Sequence, residues 1–220
     1  MDDITIIMLT PNLVPKQWAE FHKQKLLEAA GGTPIITISK EPLDWGINLL
    51  QTEYGYPNIY KQMLRGAKLA TTEYIGMADD DVLYPKSHFQ FRPKEDGFYY
   101  NFNRWQLFTW GEPTYFHKPM CGNGCFIGKR ELVVNALEGR VAADPNLPHY
   151  FTKELGTSRA MRRFDKFESK SFYSEEPLMV FVHELGADWY AKSHRKKIWP
   201  VRAYDIPVWG RAEDLVKKFI

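Results

Sequence analysis

Apolar runs and amphipathic stretches alternate through the first 80 positions. Ile4 to Leu9 is continuously apolar and ends in Thr10-Pro11-Asn12, which predicts a buried strand followed by a turn. From Lys16 to Ala30, Trp18, Phe21, Leu26 and Ala29 recur at helical spacing, and Gly31-Gly32 supplies the stop. Pro34 to Ile38 predicts a second buried strand and is followed by an irregular loop. Ile59, Met63, Leu64, Ala67 and Ala70 then form an apolar helical stripe, with Lys61, Arg65 and Lys68 on the other face. A third strand, Glu73 to Ala78, closes the series. Strand, helix, strand, helix, strand is the order of a right-handed parallel α/β sheet.

Beyond this point the pattern changes. Phe98 to Asn103 and Trp105 to Trp110 are aromatic, strand-like and separated by very little, which predicts antiparallel pieces. Helices are expected from Lys129 to about Leu137 and from about Tyr150 to Arg163, and a last apolar strand from Pro177 to His183. The tail from Trp199 is aromatic, punctuated by proline and carries no clear period. No internal repeat and no Gly-, Pro- or Ser-rich linker divides the chain. A single domain over 1–220 is therefore expected, with a ligand-binding half at about 1–95 and a second half at about 96–220.

Composition narrows the class. The 220 residues are 44% hydrophobic and 15% aromatic, enough for one substantial core. The 29 basic and 27 acidic residues nearly cancel, so the net charge of +2 implies neither an obligate nucleic-acid partner nor an acidic tail. From Tyr150 onward about 14 basic residues face about 10 acidic ones, a balance that suits phosphates. No apolar stretch approaches membrane-spanning length and no signal-like segment opens the chain, which predicts a soluble cytoplasmic protein without an integral membrane segment. Both cysteines fall in Cys121-Gly-Asn-Gly-Cys125, a lone C-x-x-x-C that lacks a second pair for tetrahedral zinc; reduced structural thiols are expected.

The chemistry concentrates at Asp79, Asp80 and Asp81, which follow the third strand directly. Open α/β sheets place their ligands at the carboxyl ends of strands. Three adjacent anions repel one another unless a cation sits among them, and hard oxygen ligands with remaining coordination for water and phosphate suit Mg²⁺ or Mn²⁺. A site for a metal-bound nucleotide is expected there.

With Thr10-Pro11-Asn12, the Asn58 to Ala70 helix and Glu73-Tyr-Ile-Gly-Met-Ala-Asp-Asp-Asp81 in this order, the chain resembles a GT-A glycosyltransferase of the family 2 type, in its short single-domain form. The resemblance continues through Gly124-Cys-Phe-Ile-Gly-Lys-Arg130, Glu154-Leu155 and Arg159, and ends near Pro177 to Lys197. It implies a Rossmann-like, mostly parallel central sheet flanked by helices, with a smaller antiparallel acceptor-side portion. It further implies transfer of a sugar from a nucleotide sugar, with a UDP-sugar expected as donor, to a hydroxyl acceptor such as a glycan or a modified base in phage-type DNA. The D-x-D motif falls on Asp79 and Asp81, both metal ligands by this resemblance: Asp79 would also lie near the ribose or a metal-bound water, and Asp81 would be the principal ligand and so a catalytic group. The same likeness makes His183 the residue that completes the metal shell.

Donor contacts are expected from Pro11, Asn12, Arg65, Asp79 and Asp80, although Asp80 also reads as a side chain facing solvent. Ser39 and Asp44 join them from the loop after the second strand, and Arg195 and Lys196 from the basic run Lys192 to Lys197. Trp105, Trp110, Tyr115 and Phe116 are candidates for an aromatic acceptor platform, with core packing expected for at least two of them. Family 2 members usually carry an E-D pair before a helical L-x-x-x-R, and here Phe151-Thr152 stand in its place. Glu154 is the nearest carboxylate and the candidate general base, with Asp144, Glu175 and Glu176 as rivals and inversion or retention left open. The alternatives are a nucleotidyltransferase of similar fold and a non-catalytic nucleotide-, sugar- or nucleic-acid-binding module. Against the first, Thr10-Pro-Asn-Leu-Val-Pro15 contains no glycine to cradle phosphate.

Overall fold

A computed structural model describes residues 3–53, 58–148, 152–184 and 200–220. Strands β1 (Ile4–Thr10), β2 (Ile35–Ser39), β3 (Ile47–Leu50) and β4 (Tyr74–Asp79) are joined through helices α1 (Lys16–Ala30) and α2 (Asn58–Leu69). Later segments add β6 (Phe98–Asn101), β9 (Phe126–Lys129) and β10 (Ser169–Phe172) to give a seven-stranded sheet in the order β10-β6-β9-β4-β1-β2-β3. Within it only the pairings of β9 with β4 and with β6 are antiparallel. This is the mostly parallel α/β sheet that the strand-helix alternation predicts. β1 lies between β2 and β4, is buried along its whole length, and is apolar from Ile6 to Leu9 because both faces are covered.

β5 (Val82–Leu83) follows the three acids and leaves this sheet for a second one, β12-β8-β7-β11-β5, formed with β7 (Arg104–Phe108), β8 (Tyr115–His117), β11 (Leu178–Val182) and β12 (Arg202–Ala203). Its pairings are antiparallel except for β7 with β11. β6 and β7 therefore do not pair with each other as their proximity in sequence suggests. The chain crosses between sheets at Phe102-Asn103, and each strand finds its antiparallel partner elsewhere.

Helix α2 packs over β1 and β2 and against α4 (Arg130–Ala143); α1 packs against α3 (Lys86–Gln90), β5 and α6 (Ala212–Phe219). The tail that showed no period forms β12, the short ladder of β13 (Asp205–Ile206) with β14 (Gly210–Arg211), and α6. α6 buries Leu215, Val216 and Phe219 beside Trp18. Trp18 is fully buried, its ring lies 4.2 Å from Phe181 and 5.0 Å from Phe219, and its Nε1–H donates to the Asp80 carbonyl at 2.8 Å. One side chain thus ties α1, β11 and α6 to the acidic turn. No helix among the described residues is long and apolar enough to cross a membrane.

The structure corrects two local expectations. The loop after β2 contains β3, an edge strand with exposed ends that pairs with β2 in parallel. The helix expected over about 150–163 does not form in its described part. Residues 152–158 are irregular, and only a 3₁₀ turn (Arg159–Met161) and the short α5 (Arg162–Asp165) follow. Tertiary donors occupy the carbonyls a helix would use: Tyr60 Oη donates to Thr152 at 3.0 Å, Arg140 Nη1 to Lys153 at 2.7 Å and Tyr100 Oη to Leu155 at 2.9 Å. Gly156 adopts φ +77°, where a side chain would also meet the Ser169 backbone nitrogen at 2.5 Å.

His88 on α3 gives the fold a pH dependence. The Asn101 amide is oriented by its Oδ1, which accepts N–H bonds from Asn103 (2.9 Å) and Ser174 (3.3 Å), so its Nδ2 donates to His88 Nδ1 at 3.1 Å. The imidazole proton therefore sits on Nε2, and protonating Nδ1 would set donor against donor. Burial pushes the His88 pKa down to about 3. The unfolded chain takes this proton near pH 6.5, so the stability linked to neutral His88 is present above that pH and lost as pH falls toward 3. Denaturant midpoints measured at pH 7 and 4.5 should show a loss on the order of 2 kcal/mol that His88→Phe removes. Equal acid sensitivity in the variant would contradict this assignment.

Candidate active site

β4 ends at Asp79 in one sheet and β5 begins at Val82 in the other, so the three acids occupy the seam between sheets. Asp79 closes the strand while Asp80 and Asp81 form the turn between the sheets, and the three side chains face different surroundings. The Asp79 amide donates to Tyr84 Oη at 2.9 Å, and that hydroxyl donates to the Gly124 carbonyl at 2.7 Å. A Cβ on Gly124 would lie 2.3 Å from Asp79 Oδ2, so glycine is what lets Asp79 lie against this turn. Burial pushes the Asp79 pKa well up, the charges of Asp81 and Asp80 raise it further, and Arg104 opposes them.

Asp80 does not face solvent, contrary to the simplest reading of its position. It is 9% exposed, and Thr10 Oγ1, at the end of β1, donates to its Oδ2. Burial first and Asp81 second push its pKa up to about 7. Asp81 faces the second sheet: its carbonyl accepts the Phe181 N–H at 2.8 Å, and its Oδ2 lies 3.7 Å from His183 Nε2. His183 follows β11, is buried, packs 4.9 Å from the Phe219 ring, and leaves Nδ1 without a hydrogen-bond partner.

Among the described residues no three His, Cys, Asp or Glu side chains converge closely enough to enclose an ion. The donor set nevertheless fits a divalent cation in an open site. One carboxylate oxygen and one imidazole nitrogen at 3.7 Å can both ligate an ion with bonds of about 2.1 Å, leaving the other positions for water and phosphate. The acid charges that raise Asp79 and Asp80 are what a cation would offset.

On the α1 side of the seam lies a cavity of about 420 Å³, lined by Thr10, Asn12, His22, Lys23, Asp44 and Asp80 among others. Its lip joins two loops. Asn12, at φ +55°, donates its N–H to Thr10 Oγ1 at 2.9 Å and accepts the Glu41 N–H on Oδ1 at 2.9 Å. Asp44 pairs with Lys23 Nζ at 2.8 Å, which holds its carboxyl below the usual range. His22 is buried, and burial pushes its pKa down to about 4 against the opposing charge of Asp81; its Nε2 has no partner. Sequence reasoning passed over His22 because, four residues from Trp18 and from Leu26, it reads as part of a core stripe.

Other candidates lie elsewhere. The Ser39 hydroxyl is buried and accepts from Asn48 Nδ2 at 2.8 Å, and Pro11 is exposed. Arg65 pairs with Glu53 at 3.0 Å and donates to the Leu50 carbonyl, holding the chain after β3 rather than lining the cavity. Arg195 and Lys196 lie outside the described residues. Glu154 is half-buried in the irregular segment, where its charge reaches the Cys121 thiol and the Tyr100 hydroxyl. Cys121 and Cys125 are free, and burial pushes the Cys125 thiol up to about 12. Arg104, absent from the sequence reading, is 7% exposed, sits within electrostatic reach of Asp79 and both cysteines, and donates to the Lys118 carbonyl at 3.3 Å. Tyr115 and Phe116 are buried, as core packing predicts for half of the aromatic set, while Trp105 and Trp110 stay partly exposed.

No family model matches this chain, and no curated protein matches it. Solved structures similar to it include a glycosyltransferase involved in glycosylation of the major capsid of PBCV-1 (15% identity, 80% of this chain and 91% of that one, TM-score 0.47). They also include the inositol-1-phosphate CTP transferase from T. maritima (10%, 87% and 94%, TM-score 0.47) and residues 1–349 of S. aureus TarS in complex with UDP (10%, 84% and 61%, TM-score 0.43).

Proposed function

We propose that the protein is a metal-dependent glycosyltransferase that moves a sugar from a nucleotide sugar, a UDP-sugar first among them, to a hydroxyl acceptor. One observation carries this reading: Asp81 and His183, about a hundred positions apart in sequence, face each other at 3.7 Å at a strand end beside a 420 Å³ cavity. That cavity is within the range of small-molecule sites.

In this reading Asn12, Lys23, Asp44 and Asp80 bind and orient the nucleoside. Asp81 and His183 would hold the Mn²⁺ or Mg²⁺, which when bound supplies Lewis-acid stabilisation of the departing diphosphate. Asp79 fixes the ribose side, and Arg104 adds positive charge next to it. Glu154 takes the acceptor hydroxyl proton. Its rivals suit that role less well: Glu176 Oε2 accepts from Ser87, Asp144 caps the turn after α4 through the Asn146 N–H at 2.9 Å, and Glu175 is exposed.

The test is which product leaves. With Mn²⁺ and a panel of nucleotide sugars, release of nucleoside diphosphate is expected, slowly to water and faster with acceptor. Release of pyrophosphate from a nucleoside triphosphate and a sugar phosphate, without any nucleoside diphosphate, would instead make the protein a nucleotidyltransferase.

A further inference from the structure

Arg104 and Arg140 are the buried arginines among the described residues, and only Arg140 has a carboxylate against it. Arg104 is 7% exposed and makes no ion pair among the described residues. Its one side-chain hydrogen bond there runs from Nη1 to the Lys118 carbonyl at 3.3 Å. A guanidinium carries several N–H donors, and burying its charge without an anion is costly. The remaining donors are not sealed off: no Arg104 nitrogen is both enclosed and unpartnered, as Arg162 Nε is. Arg104 thus presents an uncompensated donor edge that an anionic group of a ligand can reach and pair with.

Position indicates which part of a ligand that is. The Gly122-Asn123-Gly124 turn meets Arg104 at one end and Asp79 at the other. A Cβ on Gly122 would stand 4.0 Å from Arg104 Nε, and one on Gly124 would stand 2.3 Å from Asp79 Oδ2. The Arg104 charge acts on Asp79 and on the Cys121 thiol, and the Glu154 charge acts on that same thiol. The guanidinium therefore sits between the carboxylate assigned to the ribose side and the carboxylate assigned as base. In a transferase the sugar being moved occupies the space between donor diphosphate and base.

We infer that Arg104 determines specificity for the donor sugar and selects a nucleotide sugar whose ring bears a carboxylate, a hexuronate; the inference rests on the transferase reading above. A ring carboxylate is planar and accepts parallel N–H bonds from one guanidinium edge. The donor diphosphate already has a counter-charge in that reading, the cation between Asp81 and His183, which leaves Arg104 for the sugar. Asp79 and Glu154 would repel an anionic ring without the guanidinium between them.

The experiment titrates UDP-glucuronic and UDP-galacturonic acid beside UDP-glucose and UDP-galactose, with Mn²⁺, into wild type, Arg104→Gln and Arg104→Lys. In wild type at least one uronate should bind roughly tenfold or more tightly than the neutral sugar of the same configuration. Arg104→Gln should bring that ratio to about one, and Arg104→Lys should keep part of it, since an ammonium supplies charge without the fork. Arg104→Gln removes an uncompensated buried charge and should not melt below wild type, whereas loss of a merely structural arginine would lower the melting temperature and leave the ratio unmoved. A wild-type ratio near one would overturn the assignment, as would a ratio that survives in Arg104→Gln. A ratio near one joined to Arg104-dependent binding of methyl glucuronide would place the guanidinium on the acceptor instead; joined to weaker UDP binding by Arg104→Gln, it would place it on the diphosphate. Nucleoside diphosphate release from neutral sugars with no uronate preference would sink this inference alone. An Arg104-dependent preference without any nucleoside diphosphate release would sink the transferase reading alone.

Discussion

Asp81→Asn is expected to lower sugar transfer by on the order of 10³-fold while the protein stays folded. Asparagine keeps the shape of the side chain, and the backbone carbonyl that accepts the Phe181 N–H is untouched. What disappears is the anionic oxygen facing His183, and with it the charge that would hold a cation against a diphosphate. Asp80→Asn should cost far less. The Asp80 carboxyl is already held toward neutrality near pH 7, and an amide oxygen can still accept from Thr10. Nucleoside diphosphate release beside melting temperature separates the two variants. Asp81→Asn within threefold of wild type would remove the metal from the account.

The largest effect on stability is expected at Asp165. Both side chains of the Arg140–Asp165 pair are fully buried, with Nε to Oδ1 at 2.9 Å and Nη2 to Oδ2 at 2.6 Å; Oδ2 also accepts the Gly156 N–H at 2.8 Å. Asp165→Ala strands a guanidinium in the interior and should cost about 3–5 kcal/mol, or roughly 10 °C in melting temperature for a chain of this size. The double change Arg140→Met with Asp165→Leu should recover only part of that loss, because it removes the stranded charge but also takes these partners from the Lys153 carbonyl and the Gly156 N–H. A denaturant midpoint for Asp165→Ala equal to wild type would contradict the assignment. The pair also holds residues 153–156, so activity that depends on Glu154 should fall with it.

The pattern of apolar positions made α1 and the strands flanking it legible because burial alone dictates them. α1 has a stripe at helical spacing, and β1, β2 and β4 are buried on both faces. β3 left little signal because Ile47-Asn-Leu-Leu50 is only four residues long and lies at an exposed sheet edge. The segment after residue 151 was misread for another reason. Its local pattern permits a helix, but the hydroxyls of Tyr60 and Tyr100 and the Arg140 guanidinium arrive from far along the chain and take its carbonyls. Sequence spacing also marked three acids without saying where each points. Their divergence follows from the seam, where Gly124, Thr10 and His183 each meet a different carboxylate. Only the family resemblance joined His183 to Asp81. Arg104 and His22 left no signal, since a basic residue opening a strand and a histidine in a core stripe are ordinary.

If Asp81 and His183 hold a divalent cation together with a nucleoside diphosphate, metal and nucleotide must bind cooperatively through His183. Calorimetric titration of UDP into wild type and His183→Ala, each with and without Mn²⁺, tests it most directly. Mn²⁺ should tighten UDP binding at least tenfold in wild type, this gain should vanish in His183→Ala, and binding without metal should be the same in both. A full Mn²⁺ gain in His183→Ala would contradict it.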